Sequence, residues 1–264
     1  MAINEVFDLS GKVVFVTGAG AGAGAGLGVE FAESAADAGA DVVRADINLE
    51  GAEQTAESVE KLGRKALAVE CDTTSIEQVE SAVAQTISVF GKVDVLINNA
   101  GIADPVPARL HEYDVDNWRR VLDVDLNGVF NCSKAVLGHM VQAGSGKIIN
   151  IASMSGLSGS SSVFPIPAYN ASKGAVVNLT RELGLQYAAD GIQANALCPG
   201  FYRTRLAGGA YDDPDFVAAV TAFTPMRRVA KAAEIRGPAL FLATSASDYM
   251  TGQTLVVDGE CLAK

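Results

Sequence analysis

The chain has 264 residues, 49% of them hydrophobic, with 31 acidic side chains against 20 basic ones and a formal net charge of −11. That length and apolar content support one large α/β domain over residues 1–264, because no Pro-, Ser- or charge-rich linker interrupts it. The acidic balance excludes a nucleic-acid footprint, and the four cysteines lack metal-ligand or disulfide spacing, so neither a metal nor a disulfide framework is expected.

Residues 12–17 (KVVFVT) form a short β-branched run, followed by glycines and then an Ala-rich stretch at about 27–38. This predicts a strand, a glycine turn and a helix. Elsewhere the Ala/Gly alternation from Gly18 to Gly26 would read as a linker. Between a strand and a helix it reads as a phosphate cradle, since glycines let the backbone come close and the helix N-terminus offers unpaired amides and a positive dipole end. Gly39 closes the helix, 41–45 is the next strand and 50–62 the next helix. The rhythm repeats: strand 66–69, helix 76–90, strand 93–97, a long helix at about 115–143, strand 147–151. A helix carrying Tyr169 and Lys173 follows, then strand 193–197, an irregular stretch to about Pro225, helix 232–243 and strand 254–257. Nearly continuously apolar strands separated by helices predict a doubly wound parallel sheet, a Rossmann fold, with ligands at the carboxyl ends of the strands.

The chemistry is concentrated in a few positions. Tyr169 and Lys173 are four apart, hence on one helix face, where the ammonium can lower the phenol pKa from about 10 toward working pH. A tyrosine so tuned takes a proton from an alcohol or gives one to a carbonyl. Asp46 ends the second strand, where a carboxylate can accept both adenosine ribose hydroxyls and repel a 2′-phosphate, which favours NAD over NADP. The competing role for Asp46 is a cap of the next helix, and Arg44, two residues earlier on the same side of the strand, bears on the cofactor preference. The stretch 201–226 carries Tyr202, Leu206, Tyr211, Phe216, Phe223 and Met226 among turn residues, and reads as a lid over the substrate. His111 and His139 read as structural or solvated, Trp118 and Phe130 as core or subunit contacts, and Arg227 and Arg228 as a solvated pair. No basic-then-apolar leader opens the chain and no run approaches the ~18 apolar residues of a membrane span, so a cytoplasmic protein without membrane contact is expected.

On these residues the chain resembles the short-chain dehydrogenases/reductases along essentially its whole length. Thr17-Gly18 with Gly26-Leu27-Gly28 resembles the family's nucleotide motif, Cys71-Asp72-Thr73 the acidic pair near the adenine, and Asn98-Asn99-Ala100-Gly101 the family's strand end. Ser153, Tyr169 and Lys173 resemble the catalytic set, Pro199-Gly200 with Thr204 the segment meeting the nicotinamide carboxamide, and Val257-Asp258-Gly259 the last strand. The resemblance implies an NAD-dependent oxidoreductase interconverting a secondary alcohol and a ketone, with Ser153, Tyr169 and Lys173 catalytic. It implies cofactor contacts at Gly18, Gly26, Leu27, Gly28, Asp46, Asp72, Thr73, Asn99, Tyr169, Lys173, Gly200, Tyr202 and Thr204. A small-molecule alcohol or ketone as partner and a homotetramer built through the long helices are implied as well. The Tyr-to-Lys spacing differs from that of the related enoyl reductases. Two alternatives remain, an NADPH-dependent carbonyl reductase and a dinucleotide-binding regulatory protein without turnover.

Three departures stand out. Seven residues separate Gly18 from Gly26 where the family has three, so the glycine register is either Gly22-Ala23-Gly24 or Gly26-Leu27-Gly28, the latter giving the usual helix length. Asp125 replaces the Asn that helps hold a proton-relay water, and is expected to anchor its helix through the backbone carbonyl rather than through its side chain. The Ser153-to-Tyr169 interval is about three residues longer than usual, and its segment 163–167 (VFPIP) is expected to line the substrate pocket.

Overall fold

The computed structural model describes residues 2–20, 26–160, 164–207 and 209–263. After a short helix α1 (Ile3–Val6), the strands are β1 (Val13–Thr17), β2 (Asp41–Asp46), β3 (Ala66–Glu70), β4 (Val95–Asn98), β5 (Gly146–Ile151), β6 (Ile192–Pro199) and β7 (Thr254–Val257). They form one parallel sheet in the order β3-β2-β1-β4-β5-β6-β7. Between them run α2 (Leu27–Asp37), α3 (Leu49–Lys61), α4 (Ile76–Phe90), α5 (Val115–Leu122), α6 (Gly128–Ala143), α7 (Pro167–Tyr187), α8 (Pro214–Phe223) and α9 (Arg236–Ala243).

Alternate residues of a strand face opposite sides of the sheet, and here both sides are covered, which is why the strands read as continuous apolar runs. Val14 and Val16 of β1 pack with Phe31 of α2 and Leu242 of α9, while Val13 and Phe15 pack on the other side with Val79 of α4 and Met140 of α6. Full burial of Phe15 or Phe31 is worth about 1.5–3 kcal/mol each. Helix ends follow local chemistry. The side chains of Asn48, Ser75 and Asp114 accept from the backbone N–H groups of Gly51, Gln78 and Asn117, and left-handed Gly91 and Gly144 close α4 and α6.

The chain leaves β1 toward β2 on one side and returns to β4 on the other, and this reversal opens a crevice at the carboxyl ends of β1 and β4. Two expected elements differ. The helix at 115–143 is two helices joined by a π-helical turn, Asp123–Asn127, whose wider winding carries Asp125 inward until it is fully buried. The stretch 201–226 is not irregular throughout: Asp213 caps α8 through the Asp215 N–H, and Pro214 at the first helical position helps start it. Among the described residues no helix is long and apolar enough to cross a membrane, and no group of His, Cys, Asp or Glu could hold a metal ion. All four cysteines are buried and none is joined in a disulfide among the described residues.

Candidate active site

The crevice is floored by backbone. Gly18 has φ +68°, and a Cβ there would lie 2.6 Å from the Ala100 Cα; a Cβ at Gly28 would collide with the Gly18 carbonyl oxygen. The turn after β1, the start of α2 and the end of β4 therefore touch without side chains between them. Asn99 ties them together: its Nδ2 donates to the Thr17 and Gly18 carbonyls at 2.9 Å each, while the backbone N–H groups of Asn99 and Ala100 donate to Thr17 Oγ1 at 3.0 Å. Gly26 is the N-cap of α2 and Leu27 its first residue. The alternative register, Gly22-Ala23-Gly24, lies outside the described residues.

Toward the sheet edge, a cleft of about 580 Å³ is lined by Gly18, Asp46, Asp72, Thr73, Ala100 and Gly101. Asp46 Oδ2 accepts from the Gly20 N–H at 2.6 Å and Oδ1 from the Asn48 N–H at 2.8 Å, so the carboxylate both faces the cleft and pins the first leg of the glycine turn. Asp72 Oδ1 caps its own turn through the Thr74 N–H and hydroxyl, and Thr73 is buried beside it. Arg44 differs from expectation. It is fully buried and donates from Nη2 to the Ala19 carbonyl, while its Nε and Nη1 have no partner among the described residues. Burial pulls its pKa down to about 9 against the opposing charges of Glu33 and Asp46. Its charge lies beneath the turn rather than beside the ribose position. A glycine-floored crevice, an 11-residue helix opening on it and a carboxylate at its far wall fit a dinucleotide.

At the other end of the crevice, Ser153, Tyr169 and Lys173 come together. Ser153 follows β5 in extended backbone and its Oγ accepts from the Ser155 N–H at 3.1 Å, while its hydroxyl also bonds the Tyr169 side chain. Lys173 is nearly fully buried on α7; its Nζ donates to the Ile151 carbonyl at 3.1 Å and lies 5.4 Å from the Tyr169 ring centroid. Two carboxylates not assigned to the site from sequence complete it. Asp125 Oδ1 accepts from the Ile102 N–H at 2.8 Å and its Oδ2 lies 3.3 Å from Lys173 Nζ, so the side chain, not only the backbone, enters the site. Asp104, in the loop after β4, accepts from the Ala168 and Tyr169 N–H groups at 3.3 and 2.8 Å and caps the catalytic helix from a distance. No spacing rule points to Asp104. Asp125 carried a signal, its replacement of an amide, whose meaning depended on the π-helical turn.

The Tyr169 pKa runs against expectation. Burial raises it, Asp125 reinforces that, and Lys173 and the Ser153 hydrogen bond offset it only in part, so the phenol stands above its ordinary value. Gly200 follows β6 and donates its N–H to the Val257 carbonyl, Thr204 is half-buried beyond it, and the Tyr202 side chain is committed to the core. Phe164 stacks on Phe216 of α8 at 5.9 Å between centroids and meets Phe201 edge-on at 6.3 Å, with Tyr211 and Phe223 completing a half-buried to buried aromatic roof. The segment expected to line the substrate pocket thus packs, through Phe164, against the 201–226 stretch; residue 163 lies outside the described residues.

A family profile described as enoyl-(acyl carrier protein) reductase matches residues 20–259. A cis-4-hydroxycyclohexanecarboxylate dehydrogenase of Sinomonas cyclohexanicum is 41% identical over 248 residues, which covers 94% of this chain and 95% of that one. Two solved structures superpose with a TM-score of 0.92 over the whole of both chains: a gluconate 5-dehydrogenase from Burkholderia cenocepacia in complex with NADP and tartrate, at 37% identity, and a short-chain type dehydrogenase/reductase from Mycobacterium marinum, at 32%.

Proposed function

From the premise that this chain belongs to the short-chain dehydrogenase/reductase family, we propose that it is an NAD-dependent dehydrogenase interconverting a secondary alcohol and a ketone. The observation that carries this reading is the meeting of Ser153, Tyr169 and Lys173, with Lys173 Nζ beside Gly101 of the glycine-floored crevice. Nicotinamide, when bound, supplies the hydride acceptor or donor. In oxidation, the Tyr169 phenolate takes the hydroxyl proton as the carbinol hydride departs, and Ser153 Oγ hydrogen-bonds the substrate oxygen; in reduction, Tyr169 returns the proton to that oxygen. Lys173 holds the nicotinamide ribose and contributes its positive charge beside the phenol. Gly18, Gly26, Leu27, Gly28 and Asn99 shape the pyrophosphate cradle, Asp46 receives the ribose, Asp72 and Thr73 border the adenine, and Gly200, Tyr202 and Thr204 border the nicotinamide.

Asp46 supports NAD, whereas the bound NADP named for the Burkholderia structure favours the second reading, an NADPH-dependent carbonyl reductase. The names of the relatives point to hydroxy acids, one alicyclic and one a sugar acid. The aromatic roof of Phe164, Phe201 and Phe216 favours a ring-bearing substrate over an open polyol. The test is a panel of hydroxycyclohexanecarboxylates, aldonates and neutral secondary alcohols, offered with NAD and with NADP and followed by reduced-nucleotide absorbance. NAD should give the higher kcat/KM. Tyr169→Phe should bind NAD normally while turnover falls by about 10²–10⁴-fold. Near-normal turnover in that variant would remove Tyr169 from the mechanism, and binding of NADH with no turnover on any alcohol would mark a regulatory protein.

A further inference from the structure

Asp125 and Lys173 form a buried ion pair inside the catalytic group, 3.3 Å apart, with side-chain exposures of 0% and 5%. An isolated charge so deep is far costlier than a pair, which recovers its desolvation cost only through close geometry and further hydrogen bonds. The Asp125 carboxyl accepts from the Ile102 N–H at 2.8 Å and lies 3.3 Å from the Lys173 ammonium, while the Ser172 hydroxyl, 3.4 Å away, gives its hydrogen to the Tyr169 carbonyl at 2.8 Å. The N–H and the ammonium, which can only donate, suit the carboxylate. Burial pulls in opposite directions on the two partners: it raises Asp125 against the pull of Lys173, and it would lower Lys173, but Asp125 and Tyr169 more than reverse it. The Ile102 N–H and the ammonium at 3.3 Å decide for the charged pair.

Two consequences follow from geometry. The ammonium donates to the Ile151 carbonyl at 3.1 Å and stands 3.3 Å from Asp125 Oδ2, so two fixed partners hold the lysine head. The negative charge of Asp125 also stands where it cancels much of the field that Lys173 exerts on Tyr169. Besides the Asp104 carboxylate, which accepts from the Tyr169 backbone N–H at 2.8 Å, the titratable groups facing this cluster are the Cys198 thiol of β6 and the Tyr211 phenol of the 201–226 stretch. Neither carries charge at neutral pH, since burial pushes Cys198 up to about 11 and Tyr211 up to about 12. Asp125 is thus the anionic neighbour whose removal changes the electrostatics of the phenol.

Resting on the dehydrogenase reading above, we propose that Asp125 is a positioning residue that locks Lys173 in a buried ion pair and sets the pH range of the alcohol-oxidation step to more alkaline values than a neutral residue at this position would. A negative charge beside the phenol opposes formation of the phenolate, so neutralising position 125 lets Tyr169 lose its proton at lower pH.

The test compares the native protein with Asp125→Asn, and with Asp125→Ser should the amide variant fold poorly. Two readouts are used. One is the acid limb of kcat/KM for oxidation on whichever panel alcohol is turned over. The other is the titration of the Tyr169 ring carbon by ¹³C-tyrosine NMR without cofactor, assigned with Tyr169→Phe. Neutralisation should move both midpoints down by about one pH unit, so that below the limb kcat/KM rises about tenfold. Midpoints unchanged in a folded variant would overturn the proposal, as would lower stability or a higher KM with no shift in either titration, because a merely structural Asp125 produces those. If the native protein turns over no alcohol, the dehydrogenase reading fails by itself. The NMR midpoints then still decide whether Asp125 governs the phenol.

Discussion

The backbone at the start of α7 is accounted for group by group. Pro167, at the first helical position, has no N–H to satisfy; the Ala168 and Tyr169 N–H groups donate to Asp104, and the Asn170 N–H donates to the Ile166 carbonyl. Ile166, the local N-cap residue, has no side chain able to do this, so a carboxylate from the loop after β4 takes its place. Asp104 also lies near the positive end of the helix dipole, which favours its charge. Because the capped residue is the proposed acid/base itself, losing the cap should affect catalysis as well as stability. Asp104→Ala should cost about 0.5–2 kcal/mol, a fall in Tm of about 2–4 °C per kcal/mol for a chain of this size. It should lower kcat while leaving the Kd for NAD within about threefold, since Asp104 touches only the catalytic end. Asp104→Asn, which keeps an acceptor oxygen, should recover part of both losses. A variant with reduced Tm and unchanged kcat would show that the cap steadies the helix without placing the tyrosine.

At the scale of elements, the strands and most helices were legible in the sequence because both faces of the sheet are covered and the turns carry glycines. β1, β2 and β5 begin and end within a residue or so of the apolar runs that announced them. What was not legible had non-local causes. An unbroken helical pattern across 115–143 does not reveal a π-helical turn, because the wider winding is tied to tertiary partners of Asp125, the Ile102 N–H and Lys173. Arg44 reads by its spacing as a cation bearing on the cofactor preference beside Asp46, yet it is fully buried and donates to the Ala19 carbonyl. The meeting of Ser153, Tyr169 and Lys173, the proposed catalytic trio, was legible because their spacing is local or tied to strand ends; Asp104 was not, since it lies 65 residues from the tyrosine whose N–H it binds. The lengthened glycine turn belongs at this scale too. Its first leg is pinned at Gly20 by Asp46 and by Asn48, whose Nδ2 donates to the Gly20 carbonyl at 3.1 Å, and α2 starts independently at Leu27. Residues 21–24 lie outside the described residues. With both flanks anchored by their own contacts, and loop-closure entropy changing only about 0.6 kcal/mol per doubling of length, deletion of residues 21–24 should leave folding intact. NAD affinity should stay within about tenfold, roughly 1.4 kcal/mol. A calorimetric Kd weakened a hundredfold at unchanged Tm would show that the inserted glycines hold the cofactor themselves.

At the scale of the whole molecule, the seven strands bury both faces of the sheet within one chain, yet the outer face of α6 keeps apolar side chains in water. Phe130 is 53% exposed and Val141 41%, and by helical spacing they share a stripe with Lys134, whose ammonium lies 6.0 Å from the Phe130 ring, and with Gly138, where a Cβ would meet open space. A half-exposed phenylalanine at one end of a stripe with a glycine in its middle suits close approach of a second helix, in line with the homotetramer that the family resemblance implies. Charge works against such an assembly. At −11 per chain, copies repel one another, and that repulsion is screened over a Debye length of about 10 Å at 0.1 M salt. Association through an apolar stripe should therefore strengthen from low to moderate ionic strength, the opposite of an interface held by surface ion pairs. Light scattering coupled to size exclusion should find a tetramer that loosens at low salt. Phe130→Asp should give a smaller species with an unchanged far-ultraviolet circular dichroism spectrum, because Phe130 packs no core in the single chain. A native protein that is monomeric at every salt and protein concentration would end the tetramer assignment, and an unaltered assembly in Phe130→Asp would move the interface away from α6.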